Sequence, residues 1–221
     1  MKGAVIFTGL MVFAAAFTWG ADYAFDSADA SWALSELQGN DGELELGIDS
    51  GWPSYLWVFN TGACSAAGNY FNISTISAYR YIKEIKVFTS AEWPNTAWEG
   101  FDFWIHTWNG SVPGSILWGP RFRVPSGGTG WKSCPVNWNF AEGFGYEFVA
   151  AAEQCYNYPN CDAFAVDDNP NFMSRSWQLD WLTWSLLEGR YGYRNMMLRV
   201  LVANDVGVAP MSLGRVKALY F

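Results

Sequence analysis

Histidine is nearly absent from this chain, and His106 is the only one among its 221 residues. A Ser-His-Asp hydrolase would have to use it, and the Gly-x-Ser-x-Gly elbow that often carries a catalytic serine does not occur. Zinc ligands are commonly closely spaced Cys and His residues, but the chain has no Cys-x-x-Cys pair. We therefore expect neither a histidine-dependent hydrolase nor a zinc site.

Charge is also scarce. Charged residues make up 15% of the chain, and 21 acidic against 13 basic residues give a net charge of −8. Because an acidic surface repels phosphate groups, we expect no nucleic acid and no anionic lipid as a partner. Aromatic residues reach 19%, more than a core of this size needs, so we expect some rings at the surface.

No apolar run reaches the roughly 20 residues that a membrane-spanning helix needs. The apolar stretch 4–17 follows Lys2 and precedes the small residues Thr18 and Gly20, as in a secretory signal peptide. We predict a signal peptide at 1–20, an exported domain at 21–205 without a transmembrane segment, and a linker with a C-terminal tail at 206–221. A retained N-terminal anchor is the alternative.

All four cysteines follow the predicted signal peptide, and an even number in an oxidising compartment favours disulfide bonds. Three pairings are possible. We favour Cys155 with Cys161, because they close a short loop that contains Pro159, and by elimination Cys64 with Cys134.

Apolar and polar residues alternate at period two through most of the chain, and clusters of turn residues separate the runs. This pattern predicts an all-β protein with a single antiparallel β-sandwich of jelly-roll type and about eight to ten strands. The stretch 176–189 fits a helix or a hairpin, and we predict a hairpin or long loop that covers one end of the sandwich. The predicted strands are 43–49, 55–60, 70–75, 81–90, 101–108, 116–124, 144–152, 162–168 and 196–203.

The order of motifs resembles secreted bacterial β-sandwich modules of the jelly-roll or galactose-binding-like kind. The matching segments run from 68 to 203 and include IKVFT, FDFWIHTWNGSVPGSILWG, GFGYEFVAAAEQ, AFAVDDNPNFMSRSW and YRNMMLRVLVA. Such modules are often attached to extracellular hydrolases or cell-surface proteins. The resemblance implies a secreted or cell-surface location and brings no fixed catalytic set.

The segment FDFWIHTW, 101–108, is the candidate binding strand. In an extended strand Phe101, Phe103 and Ile105 face the core, and the other side carries the candidate ligand-binding residues Asp102, Trp104, His106 and Trp108. Exposed rings can stack on sugars, so we expect a non-catalytic protein that binds a polysaccharide or cell-surface glycan. In the alternative, a structural or adhesive subunit that self-assembles, the rings pack against a neighbour.

Two acidic clusters suggest further chemistry. Glu43 and Glu45 have the spacing of paired glycosidase carboxylates, although a solvated strand face explains them as well. Asp167, Asp168 and Asn169 could hold a structural calcium ion, or they could form a turn that bonds its own backbone. No other cofactor is expected.

Overall fold

The computed structural model describes residues 20–24, 42–60, 65–74, 79–90, 100–124, 128–139, 145–168, 175–187 and 195–204, and in 20–24 and 121–124 it describes the backbone alone. These ranges contain fourteen β-strands and no α-helix, and therefore no helix long and apolar enough to cross a membrane. The strands are β1 Gly20–Ala24, β2 Glu43–Leu46, β3 Tyr55–Phe59, β4 Ala66–Asn72, β5 Tyr81–Thr89, β6 Phe101–Trp108, β7 Pro113–Val124, β8 Gly130–Asn139, β9 Glu147–Gln154, β10 Phe164–Asp167, β11 Ser176–Asp180, β12 Thr183–Leu186, β13 Asn195–Met196 and β14 Leu198–Ala203.

Eight of these strands form a jelly roll. One sheet has the order β2-β14-β5-β8, and the other contains β4-β9-β6-β7, with antiparallel neighbours throughout. When the eight strands are numbered along the chain, the two sheets read 1-8-3-6 and 2-7-4-5, which is the double Greek key of a jelly roll. The all-β sandwich predicted from the alternation is confirmed.

Two additions enlarge the two layers. The hairpin of β11 and β12 joins the edge of β4, so that this sheet has six strands in the order β12-β11-β4-β9-β6-β7. β1, β3, β10 and β13 form a third sheet that meets the β2-β14-β5-β8 sheet at Met197. The Met197 N–H donates to the Ala165 carbonyl at 2.9 Å, and its carbonyl accepts from the Phe88 N–H at 3.0 Å. One residue thus links β10 to β5.

The main core lies between the layers and is rich in phenylalanine. Phe101, Phe103 and Ile105 of β6 are fully buried there, as the alternation of FDFWIHTW predicts, and Phe101 packs on Phe164 with ring centres 4.6 Å apart. Burial of each large apolar side chain contributes about 2 to 3 kcal/mol. This core fixes which side of β6 faces outward.

The strands differ from the sequence prediction in several places. Fourteen strands are present where about eight to ten are predicted, β1 is not predicted, and β7 begins at Pro113 and not at residue 116. β4 begins at Ala66 and not at Tyr70, so residues that resemble a turn cluster form its first half. The sequence pattern also misses β8, because Pro135 interrupts it. β8 lies at the edge of its sheet, where the missing N–H of a proline need not remove a ladder hydrogen bond. Of the predicted signal peptide 1–20 only Gly20 is described, and the tail 206–221 lies beyond the described residues, so these boundaries stay predictions.

Arg199 of β14 holds an ion-pair cluster on the face of its sheet that points away from the core. Its Nη2 and Nε donate to the two oxygens of Asp49 at 2.6 and 3.0 Å, and its Nη1 lies 3.0 Å from Glu45. The Asp49 side chain is 0% exposed. Burial alone would lower the pKa of Arg199, but the hydrogen bonds and charges of Asp49 and Glu45 outweigh it and raise the pKa. The guanidinium also lies 4.3 Å above the centre of the Trp131 ring.

The ion-pair cluster around Arg199 leads to a prediction about the free energy of unfolding. Arg199→Met should lower the free energy of unfolding by about 3 kcal/mol or more, because it leaves the buried Asp49 carboxylate without its cation. The matched control is Lys83→Met, which breaks a pair with Glu43 whose side chains are 24% and 26% exposed and should cost less than about 1 kcal/mol. Urea unfolding of both variants measures the difference, and equal midpoints would contradict the assigned role of Arg199.

Candidate functional site

The outer face of the six-stranded sheet has small residues at its centre. Ala66 and Gly68 of β4 lie opposite Glu153 and Ala151 of β9, and the strands approach so closely that a Cβ atom on Gly68 would lie 2.8 Å from the Ala151 Cα. Large side chains project from the strands on either side. The outer surface of this sheet is therefore recessed along its centre, and larger side chains rise on both sides of the recess.

The β11–β12 hairpin forms one flank. Its two-residue turn, Trp181 and Leu182, has positive φ angles of 46° and 74°, as a type I′ turn requires. The predicted hairpin is confirmed. A simple alternation through 176–189 would place Trp177 and Trp184 on opposite sides, but the turn reverses the chain, and the pairing of Leu179 with Trp184 places both tryptophans on the outer face.

Half of this face is closed by rings that pack together. Trp108 of β6 lies 4.4 Å from Tyr70 and 5.4 Å from Trp177 between ring centres. Trp108 and Trp177 stand three strands apart, about 14 Å at the usual strand spacing, so the rings lean toward each other over the small central residues. Trp177 is only 6% exposed. Trp108 thus belongs to a second layer of packed rings outside the core, together with Tyr70 and Trp177.

The other half is an open groove of about 270 Å³. Trp104 is half-buried along one side, and its Nε1–H donates to the Glu153 carboxylate at 2.8 Å. This bond fixes the plane of the indole. The groove is lined by Ala66, Trp104, His106, Ile116, Glu153, Leu179 and Leu182.

His106 borders both halves. It is 6% exposed, and its ring meets Trp184 edge to face with centres 5.1 Å apart. Its Nδ1 lies 3.2 Å from the Gly114 carbonyl, which can only accept, so we assign the proton to Nδ1 and leave Nε2 as an acceptor. Burial lowers the pKa of His106, although the bond to Gly114 acts in the opposite direction. The ring is therefore neutral at neutral pH.

The four residues predicted to bind a ligand share one side of β6 but differ in their surroundings. Trp104 and His106 line the groove, whereas Trp108 belongs to the packed half. Asp102 is half-buried and lies directly opposite Glu153 on β9, outside the groove lining. The sequence does not indicate Glu153, because its place beside Trp104 depends on the pairing of strands that are about 50 residues apart.

The acidic clusters have structural partners. Glu43 and Glu45 lie on the opposite sheet, where Glu43 pairs with Lys83, and Glu45 lies 2.6 Å from Lys86. Burial would raise the pKa of Glu45, but its bonds to Lys86 and Arg199 lower it. Both carboxylates are therefore explained by ion pairs, and their spacing alone no longer suggests a glycosidase pair at Glu43 and Glu45.

The predicted calcium ligands also have hydrogen-bond donors nearby. Asp167 is buried, and its two oxygens accept from the Ser50 N–H and from Asn195 Nδ2, the latter at 2.8 Å. Asp168 accepts from the Ser54 hydroxyl at 2.7 Å. Asn169 lies outside the described residues, and within them no group of three or more His, Cys, Asp or Glu could hold a metal ion. Calcium at this turn stays a prediction.

The predicted disulfide between Cys155 and Cys161 is wrong for this structure, which forms no disulfide among Cys134, Cys155 and Cys161. Cys161 lies in a small buried cluster with Leu56 and Val58, whereas the half-buried Cys155 directs its thiol toward the Glu153 carbonyl at 3.8 Å. Their side chains thus have different environments although the loop is short. Cys134 is buried, and its predicted partner Cys64 lies outside the described residues.

The Cys161 thiol should be unreactive in the native protein. Burial, together with the neighbouring charge of Asp162, raises the pKa of Cys161 to about 12, so almost no thiolate exists at pH 8. Iodoacetamide labelling followed by peptide mass spectrometry should modify Cys161 only after denaturation. Rapid labelling of Cys161 in the folded protein, or its recovery in a disulfide with Cys155, would contradict the structure.

Comparison with known proteins supports the fold. No protein-family model matches the chain, and no curated protein is significantly similar to it. The chain is similar to a solved structure of the cysteine protease and lectin-like domains of Cwp84, a surface layer associated protein of Clostridium difficile, with a TM-score of 0.50, 10% identity, and 76% of this chain and 37% of that chain covered. A structure of the clostridial cysteine protease Cwp84 after propeptide cleavage matches with a TM-score of 0.54, 10% identity, and coverage of 76% and 42%. The chain spans less than half the length of these proteins, and at this identity the likeness shows a shared fold.

Proposed function

We propose that this protein is a non-catalytic module that binds a glycan at the bacterial cell surface through the Trp104 groove. The observation that carries the proposal is the fixed, half-buried indole of Trp104 beside an open groove on the outer face of a jelly roll. The C–H face of a sugar ring packs on such an indole, and the aromatic contact contributes about 0.5 to 1.5 kcal/mol beyond the buried area.

The side chains that line the groove are held in fixed positions without a ligand. Glu153 holds the indole plane, and Trp184 and Gly114 hold the imidazole of His106. Ordering these side chains therefore costs little on binding, which favours affinity. The neutral His106 offers Nε2 as an acceptor for a hydroxyl group, while the small side chain of Ala66 leaves room for the ligand.

The shared fold agrees with this proposal. The matched Cwp84 structure includes a lectin-like domain, and Cwp84 is a surface layer associated protein. The predicted signal peptide at 1–20 would place the present chain outside the cytoplasm as well. A secreted or cell-surface location is therefore part of the proposal.

A glycoside hydrolase is the second candidate function, because Asp102 and Glu153 are cross-strand neighbours beside Trp104. Opposite residues in an antiparallel pair have Cβ atoms about 5 Å apart, which is compatible with the carboxyl spacing of a retaining enzyme. We favour binding, because Glu153 accepts the Trp104 N–H and Asp102 does not line the groove. Release of reducing sugar that Glu153→Gln abolishes would instead establish the hydrolase.

The binding test uses the mature chain and a panel of cellulose, chitin and purified bacterial cell walls. The wild-type protein should be retained on at least one of these polysaccharides, and Trp104→Ala should weaken that retention by about tenfold, the equivalent of about 1.4 kcal/mol. The matched control is Trp52→Ala, which removes an exposed tryptophan outside the groove and should bind like the wild type.

Thermal melting of both variants shows whether the fold is intact. Equal loss of binding in Trp52→Ala and Trp104→Ala, or no retention on any member of the panel, would contradict the proposal.

A further inference from the structure

The outer edge of β12 is a row of backbone groups without partners in the described part of the chain. Among the described residues β12 pairs only with β11, and the Leu187 N–H donates to the Ser176 carbonyl at 2.9 Å. Because hydrogen-bonded pairs alternate along an antiparallel ladder, the backbone groups of Trp184 and Leu186 point away from β11. They form an open set of donors and acceptors.

This edge lacks the features that usually prevent strands of two molecules from pairing. The segment 181–187, WLTWSLL, contains no charged residue, no proline and no glycine. Charge, proline or irregularity protects three other sheet edges. β2 carries Glu43 and Glu45, β8 carries Lys132 and Pro135, and the pairing of β7 with β6 shifts register four times.

The tip of the same hairpin is apolar and exposed. Trp181 is 62% and Leu182 is 80% exposed, and both hold positive φ angles that Asn and Gly adopt more easily. A tryptophan and a leucine in left-handed conformations store backbone strain, and both side chains remain exposed. The apolar tip and the open edge thus form one continuous surface.

We propose that β12 pairs with β12 of a second copy of this chain across a two-fold axis. With Ser185 on the axis opposite the partner's Ser185, Trp184 and Leu186 meet the partner's Leu186 and Trp184 in hydrogen-bonded pairs. An antiparallel strand pair of this kind is self-complementary, so one surface serves both subunits.

Charge favours a second copy at this edge. Each chain carries a net charge of −8, so two copies repel each other over most of their surfaces. The uncharged edge is a place where they can meet without apposed carboxylates. Antiparallel pairing would join two six-stranded sheets into one of twelve strands, with both grooves on the same side, because opposite residues in a sheet share a face.

The test compares two substitutions at one position. Ser185 is exposed, and its hydroxyl accepts a hydrogen bond from Gln178 at 3.1 Å. Ser185→Lys and Ser185→Ala both remove this bond, but only the lysine places two positive charges opposite each other on the axis. In size-exclusion chromatography with light scattering, the wild type and Ser185→Ala should be dimers and Ser185→Lys a monomer with native circular dichroism.

Amide hydrogen exchange tests independently whether the edge of β12 is covered in the dimer. The N–H groups of Trp184 and Leu186 should be protected in the dimer and should exchange rapidly in Ser185→Lys. A monomeric wild type, or a dimer in which these two amides exchange as fast as those of an exposed turn, would overturn the proposal. The glycan panel tests a separate claim, because Trp104, His106 and Glu153 of the groove come from one chain and lie on strands other than β12.

Discussion

The small size of the residues at the centre of the six-stranded sheet is the constraint on which the outer face depends. A Cβ atom on Gly68 would lie within 2.8 Å of the Ala151 backbone, so β4 and β9 can approach as they do only with glycine at this position. The low centre allows Trp108 and Trp177 to meet from strands that are not neighbours. The same low centre leaves the groove between Trp104 and the β11–β12 hairpin.

The abundance of aromatic residues follows from two layers of packing. One set of rings, including Phe101, Phe103 and Phe164, fills the core between the sheets. A second set on the outer face closes half of that face and lines the other half. A jelly roll of this size would not need the second set for its core, which is why the outer layer carries the functional proposal. The single histidine lies where the packed half meets the groove, held neutral by burial.

The sequence predicts the fold more completely than the site. Alternation in FDFWIHTW correctly separates the core side of β6 from its outer side, because Phe101, Phe103 and Ile105 give one side an apolar run and the other side is mixed. The sequence pattern does not predict the start of β4, because the small residues Ala66 and Gly68 resemble a turn. The same small size lets them form the floor beneath the rings. The Trp104–Glu153 bond and the burial of Cys161 depend on long-range strand pairing, which local patterns do not contain.

The central claim is that Trp104 meets a ligand while Trp108 and Trp177 pack as part of the fold. Hydroxyl-radical footprinting with mass spectrometry, with and without soluble fragments of bacterial cell-wall glycan, tests it most directly. The account predicts that Trp104 is oxidised in the free protein and protected by the glycan, whereas the buried Trp177 is scarcely oxidised in either state. Protection at Trp52 or Trp181 with Trp104 unchanged would contradict it.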